Sequence, residues 1–167
     1  LELRVDWVEA LVDACLLREL DGSWRLANHM LTEVVSNIAK ENDRWSYHQR
    51  CCAHALRVCY PRGAIGLAGR IGLHLLEAGE LVEAVELLLE GAEERLAESA
   101  FRTAHSYMDH YDRTLDLLEI SPSDTRRVEG ALVRVRLYRQ QGLLGQARGI
   151  LTSLEKLQIS RFDEVMR

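Results

Sequence analysis

The chain has 167 residues, of which 47% are hydrophobic and 28% are charged. This balance excludes an intrinsically disordered tail, and no apolar run approaches the roughly 20 residues that a membrane-spanning helix needs. The net charge of −5 argues against general nucleic-acid binding. Because the chain has only 2 prolines and is rich in Leu, Ala, Glu and Arg, we expect a mostly helical protein.

The first 40 residues combine a helix with a short hairpin. Apolar residues recur at helical spacing between Val5 and Cys15, which predicts the helix. Asp21 and Gly22 tolerate positive φ, and apolar residues alternate on both sides of them, which is typical of a two-stranded hairpin. We therefore expect residues 1–40 to be the end of a winged-helix unit, with the hairpin as its wing.

Helical spacing returns after Asn28, whose side chain can cap the next helix, and continues to the end of the chain. Pro61-Arg62-Gly63 is expected to end one helix, and Ser121 to cap another that begins at Pro122, with Asp124 as its capping-box partner. Helices are predicted over residues 44–60, 64–78, 81–99, 101–118, 125–141 and 144–157, and a further one is expected to begin at residue 160.

Two segments in this helical region resemble each other. Each has a Gly, a large apolar residue two positions later and an Ala five positions later, at Gly79 and Ala84 and again at Gly142 and Ala147. A weaker copy runs from Ser99 through Ala104 to Met108 and Tyr111. The Gly permits a tight turn and the Ala permits close helix approach. The pattern predicts an all-α fold over residues 41–167, a right-handed superhelix of tetratricopeptide-like helix hairpins; an ordinary helical bundle is the alternative.

The order of these elements resembles the STAND-type signal-transduction ATPases, in which a winged helix is followed by tetratricopeptide-like repeats. The junction in that family reads aromatic-Arg-Phe-x-His, then Leu and Glu, then Arg and His four apart, then Ala and Leu. The matching residues here are Trp24, Arg25, Leu26, His29, Leu31, Glu33, Arg44, His48, Ala53 and Leu56. A second family segment, Ala-x-His followed by Ala-Gly and a later Ala, is matched by Gly72 to Gly79 and by Ala84.

The resemblance implies a non-catalytic module that senses a ligand or protein and relays that state to neighbouring domains of a cytoplasmic regulator. No Gly-x-x-x-x-Gly-Lys-Ser/Thr loop occurs, so a nucleotide site would lie upstream of Leu1, and no cofactor is expected in this segment. The chain starts without Met and stops in a helix-like run, which also favours a piece of a longer regulator. The expected partners are a protein or the neighbouring domains; self-association and a small-molecule inducer stay open.

Histidines and cysteines cluster between His48 and Cys59, and pairs at helical spacing there can bind zinc. The two best-spaced pairs, His48 with Cys52 and Cys51 with His54, lie on different helix faces, so we expect reduced, buried thiols instead. For the junction we expect a structural hydrogen-bonded network of His29, Glu33, Arg44 and His48.

Charges are segregated along the helical region. Acidic residues prevail from Glu77 to Glu98 and arginines from Arg126 to Arg148. These bands are either solvated faces or complementary surfaces for a partner or another copy. The alternative function is nucleic-acid binding by the winged helix and the arginine band. The candidate interaction residues are Arg126, Arg127, Arg134, Arg136, Arg139, Glu83, Glu86, Glu90 and Glu93.

Overall fold

A computed structural model describes residues 5–20, 23–60, 64 and 66–165, and the chain divides into two units, Leu1–Trp45 and Ser46–Arg167. The described residues are mostly α-helical, so the predicted fold class is confirmed at that level. The predicted domain boundary after residue 40 falls inside a helix. Within the described residues, no helix has both the length and the apolar character needed to cross a membrane.

The described residues of the first unit form two helices and two strands. These are α1 (Val5–Asp13), β1 (Leu17–Leu20), β2 (Ser23–Leu26) and α2 (His29–Glu41). The strands pair antiparallel, with Leu17 opposite Leu26. The predicted Asp21-Gly22 turn lies outside the described residues. The predicted cap of α2 is confirmed, because Asn28 Oδ1 accepts a hydrogen bond from the backbone N–H of Leu31 at 2.9 Å.

Six further helices follow in the described part of the chain. They are α3 (Trp45–Cys59), α4 (Leu67–Ala78), α5 (Leu81–Ala97), α6 (Phe101–Leu117), α7 (Thr125–Gln140) and α8 (Leu144–Val165). Within the second unit α4 packs on α5, α5 on α6 and α7, α6 on α7, and α7 on α8. The predicted end of α3 at Pro61-Arg62-Gly63 lies outside the described residues.

One predicted helix cap and one predicted helix end are wrong, whereas the predicted start of a helix at residue 125 is confirmed. Asp124, rather than Ser121, caps α7: Asp124 Oδ1 accepts from Arg126 N at 2.9 Å, and the helix begins at Thr125. Pro122 lies in the preceding turn, where Asp124 N donates to Ser121 O. The expected break after residue 157 is absent, because no Gly or Pro interrupts the sequence there, and α8 runs on to Val165.

The main core lies where α5, α6 and α7 meet. Tyr107, Met108, Tyr111 and Leu115 project from one face of α6 at helical spacing and are all buried. They pack against apolar residues of α5 and against Val133 of α7. A smaller cluster joins Ala53 of α3 to Leu67, Ile71, Leu75 and Ala84 of α4 and α5. This second cluster fixes α3 onto the rest of the unit.

Glycines bring α4 and α5 into close contact. A Cβ built on Gly91 would lie only 2.4 Å from the Cα of Gly69, and one built on Gly72 would lie 3.1 Å from the backbone nitrogen of Leu88. The pairing of residue 69 with 91 and of 72 with 88 shows that the two helices run antiparallel. The ring of Tyr107 on α6 fills the space above Gly69.

Candidate interaction surface

The helix ends of both units share one backbone motif. At the C-terminal ends of α1, α2, α4, α5, α6 and α7, one residue takes a positive φ and the next N–H bonds back to a carbonyl five residues earlier. This is the Schellman motif, which satisfies carbonyls that the helix leaves unpaired. The left-handed residues are Cys15, Asp43, Gly79, Ser99, Glu119 and Gly142. Six helices in the described part of the chain thus end in the same turn.

The residues predicted to permit helix packing occupy equivalent places. Gly79 and Gly142 are left-handed caps, with φ of 84° and 74°. Ala84 and Ala147, each five residues after its cap, are buried, and so is Ala104 in the weaker copy. Residues 63 apart in the sequence thus have the same local role.

Three arginines of α7 form ion pairs with acidic residues of α5 and α6. Arg127 Nη2 lies 2.7 Å from Asp116 Oδ1 and also donates to the carbonyl oxygen of Ile120. Arg136 pairs with Glu93 of α5. The third, Arg134, binds two carboxylates of α6. Much of the charge of the arginine band is therefore neutralised within the chain.

Arg134 is the most buried of these arginines, with 17% of its side chain exposed. Its Nε donates to Asp112 Oδ2 at 2.8 Å and its Nη2 donates to Asp109 Oδ1 at 2.9 Å. Burial alone would lower the pKa of Arg134, but the hydrogen bonds and charges of the two carboxylates raise it. The guanidinium therefore stays charged and clamps α7 onto α6.

A second contact ties the start of α7 to α6. Arg126 forms a two-pronged pair with Asp124, and these bonds lower the pKa of the Asp124 carboxyl. The carbonyl oxygen of Arg126 accepts a hydrogen bond from the Tyr111 hydroxyl at 2.6 Å. Burial raises the pKa of Tyr111 to about 12, so the phenol remains a donor over the usual pH range.

The acidic band of α5 is partly paired as well. Glu83 binds Arg57 of α3, and Glu80 binds Arg50 at 3.1 Å. Glu86, Glu90 and Arg139 are exposed and make no ion pair among the described residues. Only these three of the nine candidate interaction residues thus combine exposure with an uncommitted charge. The interaction surface itself stays a prediction.

The four residues of the predicted junction network are all exposed. His29, Glu33 and Arg44 belong to the first unit and His48 to the second. No hydrogen bond or ion pair links the three residues of the first unit to one another within the part of that unit that the structure describes. The network across the junction stays a prediction.

The expectation of buried thiols is wrong, because all four cysteines are exposed. On α3 the inward face carries Ala53 and Leu56, and Cys51, Cys52 and Cys59 fall on other faces. The neighbouring Cys51 thiol, one helical turn away, raises the pKa of Tyr47. Among the described residues, no group of three or more His, Cys, Asp or Glu side chains could hold a metal ion.

Two histidine contacts between helices have no signal in the sequence. His74 Nδ1 of α4 lies 2.6 Å from Gln49 Oε1 of α3. His105 Nε2 of α6 lies 3.0 Å from Gln141 Oε1 at the end of α7, and its ring is tilted against that of Tyr138. Each pair joins two successive helices through residues that are 25 or 36 positions apart, so the periodicity within a single helix cannot reveal it.

Two grooves flank the contact between α7 and α8. The larger, of about 680 Å³, is lined by Arg127, Ala131 and Tyr138 on one side and by Gln146 and Ile150 on the other. Its volume is within the range of small-molecule sites. The smaller, of about 340 Å³, lies beside exposed leucines of α7 and α8.

Comparisons with protein-family models, curated proteins and solved structures found no match for this chain.

Proposed function

We propose that this chain is a non-catalytic regulatory and protein-interaction module, built from the end of a winged helix and tetratricopeptide-like helix hairpins. Following the resemblance to STAND-type ATPases, it senses a partner or ligand and relays that state to a nucleotide-binding domain elsewhere in a cytoplasmic regulator. The four free, exposed cysteines suit a reducing compartment.

One observation carries the proposal: two helix hairpins 63 residues apart use the same cap and the same buried alanine. Gly79 with Ala84 joins α4 to α5, and Gly142 with Ala147 joins α7 to α8. Repeating hairpins that contact mainly their neighbours are typical of helical solenoids, whose extended faces bind other proteins. In a helical bundle without repeats, we would not expect the same residue types at the same positions of two helix hairpins.

The arginine pairs disfavour nucleic-acid binding. Arg127, Arg134 and Arg136 each contact a carboxylate of the same chain, so phosphate binding would require those pairs to break. The exposed glutamates of α5 add negative charge nearby. This arrangement favours a protein-interaction module over the nucleic-acid alternative.

The test is nucleotide binding by the gene product that contains this chain, compared with the chain alone. Fluorescent ATP should bind the longer product and should not bind residues 1–167. Binding of ATP by the chain alone, or a longer product without a nucleotide site, would contradict the proposal.

The nucleic-acid alternative has its own measurement. A labelled 20-base-pair duplex titrated with the chain at low salt should show no binding. Binding that weakens steeply with added salt would instead favour the alternative function.

A further inference from the structure

The outer face of α8 carries a stripe of four exposed residues. Leu144, Arg148, Leu151 and Glu155 are spaced four, three and four residues apart, so they share one helix face. Leu144 is 65% exposed and Leu151 is 41% exposed. Arg148 and Glu155 are exposed too, and neither has an ion-pair partner among the described residues. This stripe therefore combines uncovered apolar surface with two uncommitted charges of opposite sign.

The order of charges along the stripe makes it complementary to itself. Arg148 and Glu155 are seven residues apart, which is about 10.5 Å along the helix, with Leu151 near the midpoint. A second α8 laid antiparallel across it would place a glutamate opposite Arg148 and an arginine opposite Glu155. Self-complementarity of this kind is what a two-fold interface requires.

We propose that the chain forms a two-fold symmetric dimer in which α8 of each copy packs antiparallel against α8 of the other along this stripe. The partner is thus a second copy of this chain. The two reciprocal charge pairs set the antiparallel register, and the leucines supply the apolar contact.

The smaller groove beside the stripe gives the second copy a place to dock. It is lined by Val128 and Leu132 of α7 and by Leu151, Leu154 and Leu157 of α8. Leu132 is 44% exposed. Apolar side chains near the symmetry axis can enter this groove and be removed from water, which favours association.

The two charged residues of the stripe lack ion-pair partners among the described residues, unlike three arginines of α7. Arg127, Arg134 and Arg136 already have partners within the chain, so they offer little to another molecule. Arg148 lies between the exposed Leu144 and Leu151 on the stripe. The dimer goes beyond the proposed function, because it depends only on this face and on no nucleotide domain. An experiment that contradicts one of the two proposals therefore does not contradict the other.

Sedimentation velocity of the 167-residue chain over a range of concentrations tests the dimer. The wild type should change from monomer to dimer as concentration rises, and Leu151→Glu should raise the dimer dissociation constant at least about tenfold. Leu117→Glu is the matched control, since Leu117 is a 68% exposed leucine on α6 outside the stripe. Its dissociation constant should equal that of the wild type. The circular dichroism spectra of both variants should match that of the wild type, which checks that each variant folds.

Charge exchange tests the antiparallel register. Arg148→Glu and Glu155→Arg should each weaken the homodimer, because each places like charges opposite one another. Mixing the two single variants should restore a dimer, and the double variant should dimerise like the wild type.

Three outcomes would overturn the proposal. They are a wild type that stays monomeric at every concentration, equal effects of Leu151→Glu and Leu117→Glu, and no restoration on mixing the charge variants. A monomeric wild type would leave the stripe to a partner of different sequence.

Discussion

The backbones of Gly69 and Gly91 touch where α4 crosses α5, and a Cβ on Gly91 would lie 2.4 Å from the Cα of Gly69. The obstacle is backbone rather than a flexible side chain, so it cannot move aside without separating the helices. Tyr107 of α6 lies over the same point, and its ring would meet a Cβ on Gly69 at 2.3 Å. The packing of α4, α5 and α6 against one another therefore depends on the absence of side chains at Gly69 and Gly91.

Replacing Gly91 by Ala should lower the free energy of unfolding by about 3 kcal/mol, at the upper end of what overpacking costs. Chemical denaturation monitored by circular dichroism measures this change. Gly149→Ala is the control, because nothing lies within 4 Å of a Cβ there and the site is inside α8. That change should raise the free energy of unfolding by about 1 kcal/mol through helix propensity. Equal effects at the two positions would contradict the close approach.

Left-handed caps lead to a second prediction. Gly142 has open space around its Cβ position but a φ of +74°, so Gly142→Ala should cost about 1 kcal/mol through backbone strain alone. Glu119 takes a φ of 53° with a side chain, so Glu119→Gly should raise the free energy of unfolding by up to about 1 kcal/mol, since relief of strain exceeds the entropy of Gly. Thermal melts of both variants beside Gly149→Ala measure these effects. A stabilising Gly142→Ala would show that the cap is not left-handed.

The sequence predicted the helices well and their ends less well. Helical spacing of apolar residues locates the described helices of the second unit, apart from the break expected within α8, and the glycines at 79 and 142 mark two turns. Ser99 and Glu119 form the same turn without Gly, so no residue type signals it. Contacts such as Gly69 with Gly91 depend on how two helices pair, which periodicity within either helix does not contain.

The charge bands show that only part of the candidate interaction surface can be predicted from the sequence. Few acidic residues lie near the arginines of α7 in the sequence, so the sequence order does not indicate their partners. The partners of Arg127 and Arg134 lie on the preceding helix, at Asp109, Asp112 and Asp116, whose spacing places them on one face. Because α6 and α7 run antiparallel, Asp116 meets Arg127 and Asp112 meets Arg134, and this pairing of two helices is absent from the periodicity of either one.

Arg134 provides the third prediction. Arg134→Met should lower the free energy of unfolding by about 1.5–3 kcal/mol, because two charge-assisted hydrogen bonds from a largely buried guanidinium are lost. Arg139→Met removes the same charge from an exposed site on the same helix without a partner among the described residues, and its effect should stay within about 0.5 kcal/mol. Urea titrations of both variants make the comparison. Equal losses would mean that the contacts with Asp109 and Asp112 contribute nothing to stability.

His74 provides a pH-dependent prediction. Burial and then the charge of Arg70 lower its pKa, with Glu77 opposing them. The unfolded chain, in which this group has its ordinary pKa of about 6.5, therefore takes up a proton before the folded chain does as pH falls. The neutral ring of His74 contributes its full stabilisation above pH 6.5. That contribution is lost as the pH falls from 6.5 through the lower pKa that His74 has in the folded chain.

The measurement for His74 is the free energy of unfolding of the wild type and of His74→Gln at several pH values between 8 and 5. The wild type should lose stability relative to the variant as the solution is acidified below about pH 6.5. Parallel curves for the wild type and for His74→Gln would show that burial does not favour the neutral ring of His74.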